Sequence, residues 1–218
     1  MAKKKQVEII IDNQQVQAEQ GERILWAALA AGIEIPHLCA IKEAHPPLGT
    51  CRLCLVEVEG QQGVVASCVE PAREGMVVHT DGERAKALRS RAMELMLADH
   101  PMTCKQCAKK GQCTFLRLAA SMHVKRPRLR TPFPREELPV DDSHPRIRFD
   151  PNQCVRCGRC VWKCREQGGE VPFDFIRKGY AMRLTTFMGR PLSETNCSGC
   201  GACVDVCPVA ALCLKGKG

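Results

Sequence analysis

Between Cys154 and Cys207 the chain reads C-V-R-C-G-R-C-V-W-K-C at 154–164 and C-S-G-C-G-A-C-V-D-V-C-P at 197–208. Both stretches space their cysteines C-x2-C-x2-C-x3-C. A cubane iron–sulfur cluster takes a thiolate at each of four corners. Gaps of two residues let three successive sulfurs converge from one tight loop, and the fourth must arrive from elsewhere. Gly158, Gly199 and Gly201 suit loops wrapped closely around a bulky group, and Pro208 closes the second copy. Structural zinc is the alternative, but it takes its four ligands usually as two separated pairs. Three cysteines at i, i+3 and i+6 with another at i+10 suit the corners of a cube better than a tetrahedron.

The doubled motif resembles the bacterial ferredoxins that hold two 4Fe–4S clusters, in which the fourth cysteine of each run ligates the other cluster. That resemblance implies Cys154, Cys157, Cys160 and Cys207 on one 4Fe–4S cluster, and Cys197, Cys200, Cys203 and Cys164 on the other. The ferredoxin-like module is expected over 147–218. Its insert between Cys164 and Cys197 contains K-G-Y-A-M-R-L and reads as a small strand-bearing excursion.

Sixteen cysteines among 218 residues point to disulfides or to metal. The N-terminus favours metal. Lys3, Lys4 and Lys5 resemble the start of a signal peptide, but the alternating V-E-I-I-I-D-N-Q-Q-V-Q follows instead of an apolar core. The longest apolar run, Ile24 to Ile33, is too short to span a bilayer. The expectation is a reduced, cytoplasmic protein without a membrane span. A formal charge of +8 invites nucleic acid as a partner. Each oxidised four-thiolate cluster, however, carries about two negative charges, so the basic excess is mostly counter-charge. Two Trp, one Tyr and six Phe are too few and too scattered for base-stacking platforms, and no nucleic-acid partner is expected.

Residues 6–18 read as a hairpin turning near Asp12-Asn13, followed by a short helix from Ile24 to Ala31 closed by Gly32. Cys39, Cys51, Cys54 and Cys68 come next, spaced C-x11-C-x2-C-x13-C, with Gly49 suited to a bend before Cys51. The strand-like L-V-E-V-E and V-V-A-S lie between Cys54 and Cys68, and M-V-V-H-T follows at 76–80. This order resembles the β-grasp 2Fe–2S ferredoxin domain. The spacing departs from the plant type and is close to the version at the N-terminus of the large iron–sulfur subunit of complex I and of iron-only hydrogenases. The four cysteines are then implied as 2Fe–2S ligands, with zinc as the alternative.

Glu83 to Asp99 reads as a helix with Leu88, Ala92, Leu95, Met96 and Asp99 marking one side, most simply a core face. At its end stand His100, Cys104, Cys107 and Cys113, spaced H-x3-C-x2-C-x5-C. Taken alone they suit a zinc site of three cysteines and one histidine or, for His100, a plain helix-terminal residue. They are similar to the His-ligated 4Fe–4S motif of the same two families, at the same place after the 2Fe–2S domain. Histidines such as His37, His45 and His123 read as ordinary polar residues. Residues 124–146 are rich in proline and arginine, then acidic, and read as an extended surface linker. Cys213, in the apolar A-A-L-C-L-K, remains over and is expected to be a buried structural thiol.

The expected fold is thus α+β. It comprises a β-grasp 2Fe–2S domain (1–81), a small helical domain carrying the histidine and three cysteines (82–123), a linker (124–146) and the two-cluster ferredoxin-like domain (147–218). End to end the chain resembles the diaphorase iron–sulfur subunit of NAD(P)-coupled bidirectional hydrogenases. It is also similar to the electron-input arm of iron-only hydrogenases and of the large complex I subunit. The resemblance implies one 2Fe–2S and three 4Fe–4S clusters, and a relay of single electrons inside a hetero-oligomer. An NAD(P)(H)-binding flavin subunit would sit on one side and a hydrogenase or formate dehydrogenase module on the other. An electron-bifurcating complex and a free ferredoxin-like carrier are the alternatives. The sequence has no G-x-G-x-x-G, phosphate loop or Ser/His/Asp arrangement, and it ends at Gly218 without the H-cluster domain of iron-only hydrogenases. A non-catalytic subunit is expected.

Overall fold

The computed structural model describes residues 5–124, 136–168 and 170–216. The chain divides into two compact units, 1–94 and 95–218.

In the first unit β1 (Gln6–Ile11) and β2 (Gln14–Glu19) form an antiparallel hairpin in which Ile11 faces Gln14. Asp12 and Asn13 turn the chain with φ of 48° and 67°, the double left-handed geometry of a two-residue hairpin turn. The period-2 pattern buries Val7, Ile9 and Ile11 from one strand and Val16 and Ala18 from the other. Helix α1 (Ile24–Ala30) lays Ile24, Leu25, Ala27 and Ala28 on this face and ends before Gly32 at φ +79°. An irregular stretch then carries the first three cysteines. Buried Arg23 pins it by donating to the Ala44 carbonyl at 2.6 Å. Strands β3 (Leu55–Val58), β4 (Val65–Ala66) and β5 (Val77–His79) complete a sheet of order β2-β1-β5-β3-β4, with β1 and β5 parallel.

Helix α2 (Glu83–Asp99) begins on the Glu57 carboxylate, which accepts from the Arg84 and Ala85 amides at 3.1 Å each. A Cβ at Gly82 would stand 2.2 Å from that carboxylate oxygen, so a larger residue there would displace the Glu57 side chain from the helix start. The helix spans the residues expected, but its buried face is a different one. Leu88 and Leu95 are 42 % and 56 % exposed, whereas Ala85, Arg89, Met93 and Leu97 form the buried line with Glu94 beside it. Two charged residues belong to that face because each is satisfied there. Arg89 donates to the Thr80 carbonyl at 2.7 Å, and Glu94 accepts from Arg91 at 2.7 Å. An apolar count discards such positions and so rotates the face.

In the second unit, a turn at Cys104–Gln106 leads to α3 (Thr114–Ser121), which buries Phe115 and Ala119. Strand β6 (Ile147–Phe149) ends the approach to the first cysteine run. Helix α4 (Arg159–Glu166) follows Gly158, and the hairpin of β7 (Phe173–Ile176) and β8 (Arg183–Thr186) forms the strand-bearing insert. Helix α5 (Ala202–Asp205) follows Gly201, and β9 (Leu212–Leu214) returns antiparallel to β6. Gly158 and Gly201 stand just before their helices at φ +78° and +86°, so the two cysteine runs fold alike. Of the expected linker, 125–135 lies outside the described residues. The stretch from 136 onward is tied to the module. Leu138 exchanges two hydrogen bonds with the Asn152 side chain, at 2.9 and 2.8 Å, and Asp141 pairs with Phe149.

The α2 face is tested by two truncations. Met93→Ala should destabilise the protein by about 2–5 kcal/mol. Leu95→Ala should change it by no more than about 0.5 kcal/mol. Unfolding of the intact protein followed by circular dichroism measures both; equal losses would return the core face to the Leu88–Leu95 side.

Candidate iron–sulfur sites

The first unit gathers Cys39, Cys51, Cys54 and Cys68, all buried. The Cys51 amide approaches the Cys39 sulfur at 3.4 Å. Thiol hydrogen bonds from Cys51 and Cys68 to that sulfur hold Cys39 well below the usual thiol range. A thiol hydrogen bond from Cys68 lowers Cys54 as well. The donors, Cys51 and Cys68, are pushed up, first by those same hydrogen bonds and then by burial. Four buried sulfurs thus lie within hydrogen-bonding reach of one another, a soft donor set suited to iron–sulfur ligation. The geometry is held locally. Gly49 runs at φ +58° with Val69 only 3.1 Å from where a Cβ would stand. Ser67 hydrogen-bonds the Cys54 carbonyl at 2.8 Å, and the Leu25 amide donates to the Ser67 carbonyl at 2.9 Å, which fastens α1 to the loop before Cys68.

In the second unit, His100, Cys104, Cys107 and Cys113 line one cavity of about 70 Å³. His100 follows the last residue of α2 and packs edge-on against Phe115, ring centroids 5.3 Å apart. Cys107 follows the short turn begun by Cys104, Gly111 bends at φ +77°, and Cys113 stands as the N-terminal cap residue of α3. Lys109 and Lys110 edge the same cavity, positive charges where thiolates would gather.

The structure sets the last cysteine of each run beside the other run. Cys154, Cys157, Cys160 and Cys207 line one small cavity whose walls include Leu184 and Leu212. Burial pushes Cys157 up to about 12 and raises Cys160 and Cys207 as well. Cys164, by contrast, lies within electrostatic reach of Cys197 and Cys200, and Cys203 within reach of Cys197, Cys164 and Cys200. Burial again leads in both, bringing Cys203 to about 12. Helix α4 separates the two cysteines: Cys160 stands in its first turn and Cys164 in its last. The second loop closes on His144, whose ring carbon stands 2.8 Å from where a Cβ on Gly199 would be. His144 is itself buried and accepts from the Arg146 and Ile147 amides through Nδ1, at 3.1 and 3.2 Å.

Cys213 joins none of the four sets. It is half-buried rather than buried, directs its thiol to the Ala210 carbonyl at 3.5 Å, and is raised by burial. Among the described residues, no three His, Cys, Asp or Glu side chains close on a single-ion point. Three supporting residues escaped the sequence reading: Arg89, His144 and Arg156. For Arg156 the signal was available, since it fills in the first loop the slot that Gly199 fills in the second.

Loops of this kind, built around grouped thiols, define an iron–sulfur electron-transfer protein, and the comparisons narrow the class. Residues 4–83 match the 2Fe-2S iron-sulfur cluster binding domain. Residues 89–128 match the NADH-ubiquinone oxidoreductase-G iron-sulfur binding region, and 144–213 the ferredoxin-like domain of NADH-quinone oxidoreductase subunit 3. The mitochondrial NADH-ubiquinone oxidoreductase 78 kDa subunit of Candida albicans is 33 % identical over 213 residues, covering 96 % of this chain and 29 % of its own. The NADP-reducing hydrogenase subunit HndD of Solidesulfovibrio fructosivorans is 33 % identical over 210 residues, covering 94 % and 35 %. A chain in the crystal structure of an NAD+-reducing [NiFe]-hydrogenase superposes with a TM-score of 0.86 at 32 % identity, over 97 % of this chain and 88 % of that one. The chain belongs to the family of iron–sulfur electron-transfer subunits of NADH- and NADPH-linked oxidoreductases, which includes subunits of complex I and of hydrogenases. It spans about a quarter to a third of the length of the curated relatives it matches. No helix among the described residues is long and apolar enough to cross a membrane.

Exchanged ligation has a sharp signature. Cys164→Ala should lose the paramagnetic signal that Cys200→Ala loses, and Cys207→Ala the signal that Cys157→Ala loses. Electron paramagnetic resonance of the four reduced variants reads this. Loss of one common signal in Cys164→Ala and Cys157→Ala would mean that each run closes its own cube.

Proposed function

We propose that the chain carries four clusters and relays single electrons between an NAD(P)(H)-reactive flavin subunit and a hydrogenase module of a cytoplasmic hetero-oligomer. The β-grasp domain would hold one 2Fe–2S cluster on Cys39, Cys51, Cys54 and Cys68. His100, Cys104, Cys107 and Cys113 would hold one 4Fe–4S cluster. Two more would sit on Cys154, Cys157, Cys160 and Cys207, and on Cys197, Cys200, Cys203 and Cys164. Bound clusters supply reversible one-electron transfer at potentials that burial, charge and hydrogen bonds adjust. The protein's part is to hold the ligands, exclude water and balance charge.

The observation that carries this reading is the adjacency of the three donor sets within 95–218. The Cys113 sulfur stands 3.9 Å from the Pro208 carbonyl, next to Cys207. Cys160, which lines the cavity with Cys207, lies within electrostatic reach of Cys203 of the last set. A relay needs its stations in series, and these donors follow one another without an intervening domain. Exposure adds a direction. Cys157, Cys160 and Cys207 are buried, whereas Cys200 is exposed, so the last set is the one a partner subunit could approach. The superposition on a chain of an NAD+-reducing [NiFe]-hydrogenase favours a hydrogenase module over a formate dehydrogenase as that partner.

Metal analysis of protein prepared without oxygen tests the cluster count: about 14 iron atoms per chain are expected, with almost no zinc. One or more zinc per chain, with iron well short of that figure, would sink it. In the same preparation, freed of flavin, NADH should reduce no dye. Substantial turnover by the pure chain would reveal a nucleotide site of its own and overturn the pure-relay role.

A further inference from the structure

Arg156 lies inside the first cysteine run, between Cys154 and Cys157, and its backbone is left-handed at φ +56°. The equivalent slot in the second run is Gly199 at φ +67°. Glycine enters that region freely, while an L-residue with a side chain is strained there. One loop uses the unstrained residue and the other holds a strained arginine, so the side chain has to be accounted for.

Its guanidinium is largely buried and meets a more deeply buried carboxylate. Arg156 Nη2 donates to Asp99 Oδ2, with the two side chains 21 % and 8 % exposed. Nη1 points at the Met182 carbonyl at 3.4 Å, and the Tyr180 hydroxyl reaches the other Asp99 oxygen at 3.5 Å. Asp99 is the last residue of α2 and immediately precedes His100. The Arg156 amide stands 3.4 Å from the Cys154 sulfur. Three stretches far apart in sequence therefore meet on one ion pair: the residue before the histidine of one donor set, the loop of the next set, and the K-G-Y-A-M turn of the insert. Only a planar, forked cation can serve the carboxylate and the carbonyl from separate nitrogens.

We propose that the Arg156–Asp99 pair is a positioning and charge-balancing element shared by the His100 and Cys154 sites. It fixes the helix end that carries His100 against the loop that carries Cys154 and Cys157. It also sets two opposite charges at low dielectric beside both sites, so that each site's reduction potential depends on the pair being intact. This inference rests on the cluster assignment above. Fixed charges act on a reduction in a definite direction: a nearby cation favours the added electron and a nearby anion opposes it.

Removing the two members should therefore move both potentials in opposite directions. In the holoprotein, Arg156→Gly takes that cation away from the Asp99 carboxylate and should lower the midpoints of the His100 and Cys154 sites. Asp99→Asn takes the anion away from Arg156 and should raise both. The double variant should return towards wild type, and the 2Fe–2S site should keep its midpoint throughout. A tenfold change in electron sharing with the 2Fe–2S site, about 59 mV for one electron, is the size of effect to look for. Potentiometric titration followed by electron paramagnetic resonance, after iron analysis has established loading, measures all of these. Arg156→Gly also relieves the backbone strain. If the arginine is merely tolerated, that variant will keep both midpoints and gain stability, which would overturn the proposal. Shifts in the same direction in both single variants would overturn it too, because they indicate general damage. If Asp99→Asn loads poorly, Arg156→Gly and the charge-keeping Arg156→Lys decide: Arg156→Lys should stay closer to wild type in potential, and equal shifts in the two would refute a charge role. Wild-type protein lacking the iron or the signals would overturn the cluster assignment itself, a result distinct from unmoved midpoints in a fully loaded protein.

Discussion

Crowding sulfur donors together, many of them out of water, is the constraint on which this structure depends. A thiol in an apolar pocket resists ionisation, and a second thiolate beside a first resists it more. The donor sets show both effects, in the upward push on Cys157, Cys160, Cys203 and Cys207 and in that on Cys51 and Cys68 beside Cys39 and Cys54. A metal bound there would remove the conflict, because a coordinating thiol is deprotonated outright. The polypeptide contributes the reverse condition: loops stiff enough to hold the sulfurs close. Hence the left-handed residues inside the loops, Arg52, Arg156, Gly199 and Gly201 among them, and the small residues where backbone meets side chain.

Basic residues complete that electrostatic arrangement. The formal excess of +8 is not a uniform coat. Lys109 and Lys110 edge the cavity of the His100 site, and Arg89 is buried within electrostatic reach of Cys54. Arg156 stands in a cysteine loop against Asp99. Each sets a cation near a cysteine-rich stretch, and the buried ones are satisfied locally, Arg89 by the Thr80 carbonyl and Arg156 by Asp99.

How far the chain could be read in advance depended on how local each feature is. The Asp12-Asn13 turn, the Gly32 stop after α1 and the span of α2 follow from a few neighbouring residues, and the structure has all three. The buried face of α2 was misjudged because Arg89 and Glu94 lie on it. Their burial depends on partners, the Thr80 carbonyl and Arg91, that hydropathy does not count. The stretch after 135 read as linker, yet Leu138 and Asp141 are engaged by Asn152 and Phe149. Proline and charge argue against a helix or strand interior; they do not say whether another segment offers hydrogen bonds.

By itself the sequence determined where the cysteine-rich stretches lie, their order and the class of chemistry, because cysteine spacing within a loop limits which sulfurs can converge. Its ferredoxin resemblance already implied that Cys164 and Cys207 reach across to the other run. Only the tertiary structure decided which polar residues support those stretches. It joined Arg156 to Asp99 across 57 positions, set His144 against Gly199, and turned Arg89 inward onto the Thr80 carbonyl. The physical reason is the same in each case. Contacts between distant segments are fixed by how helices and strands pack and by which buried charges find partners, and neither is written in the spacing of neighbouring residues.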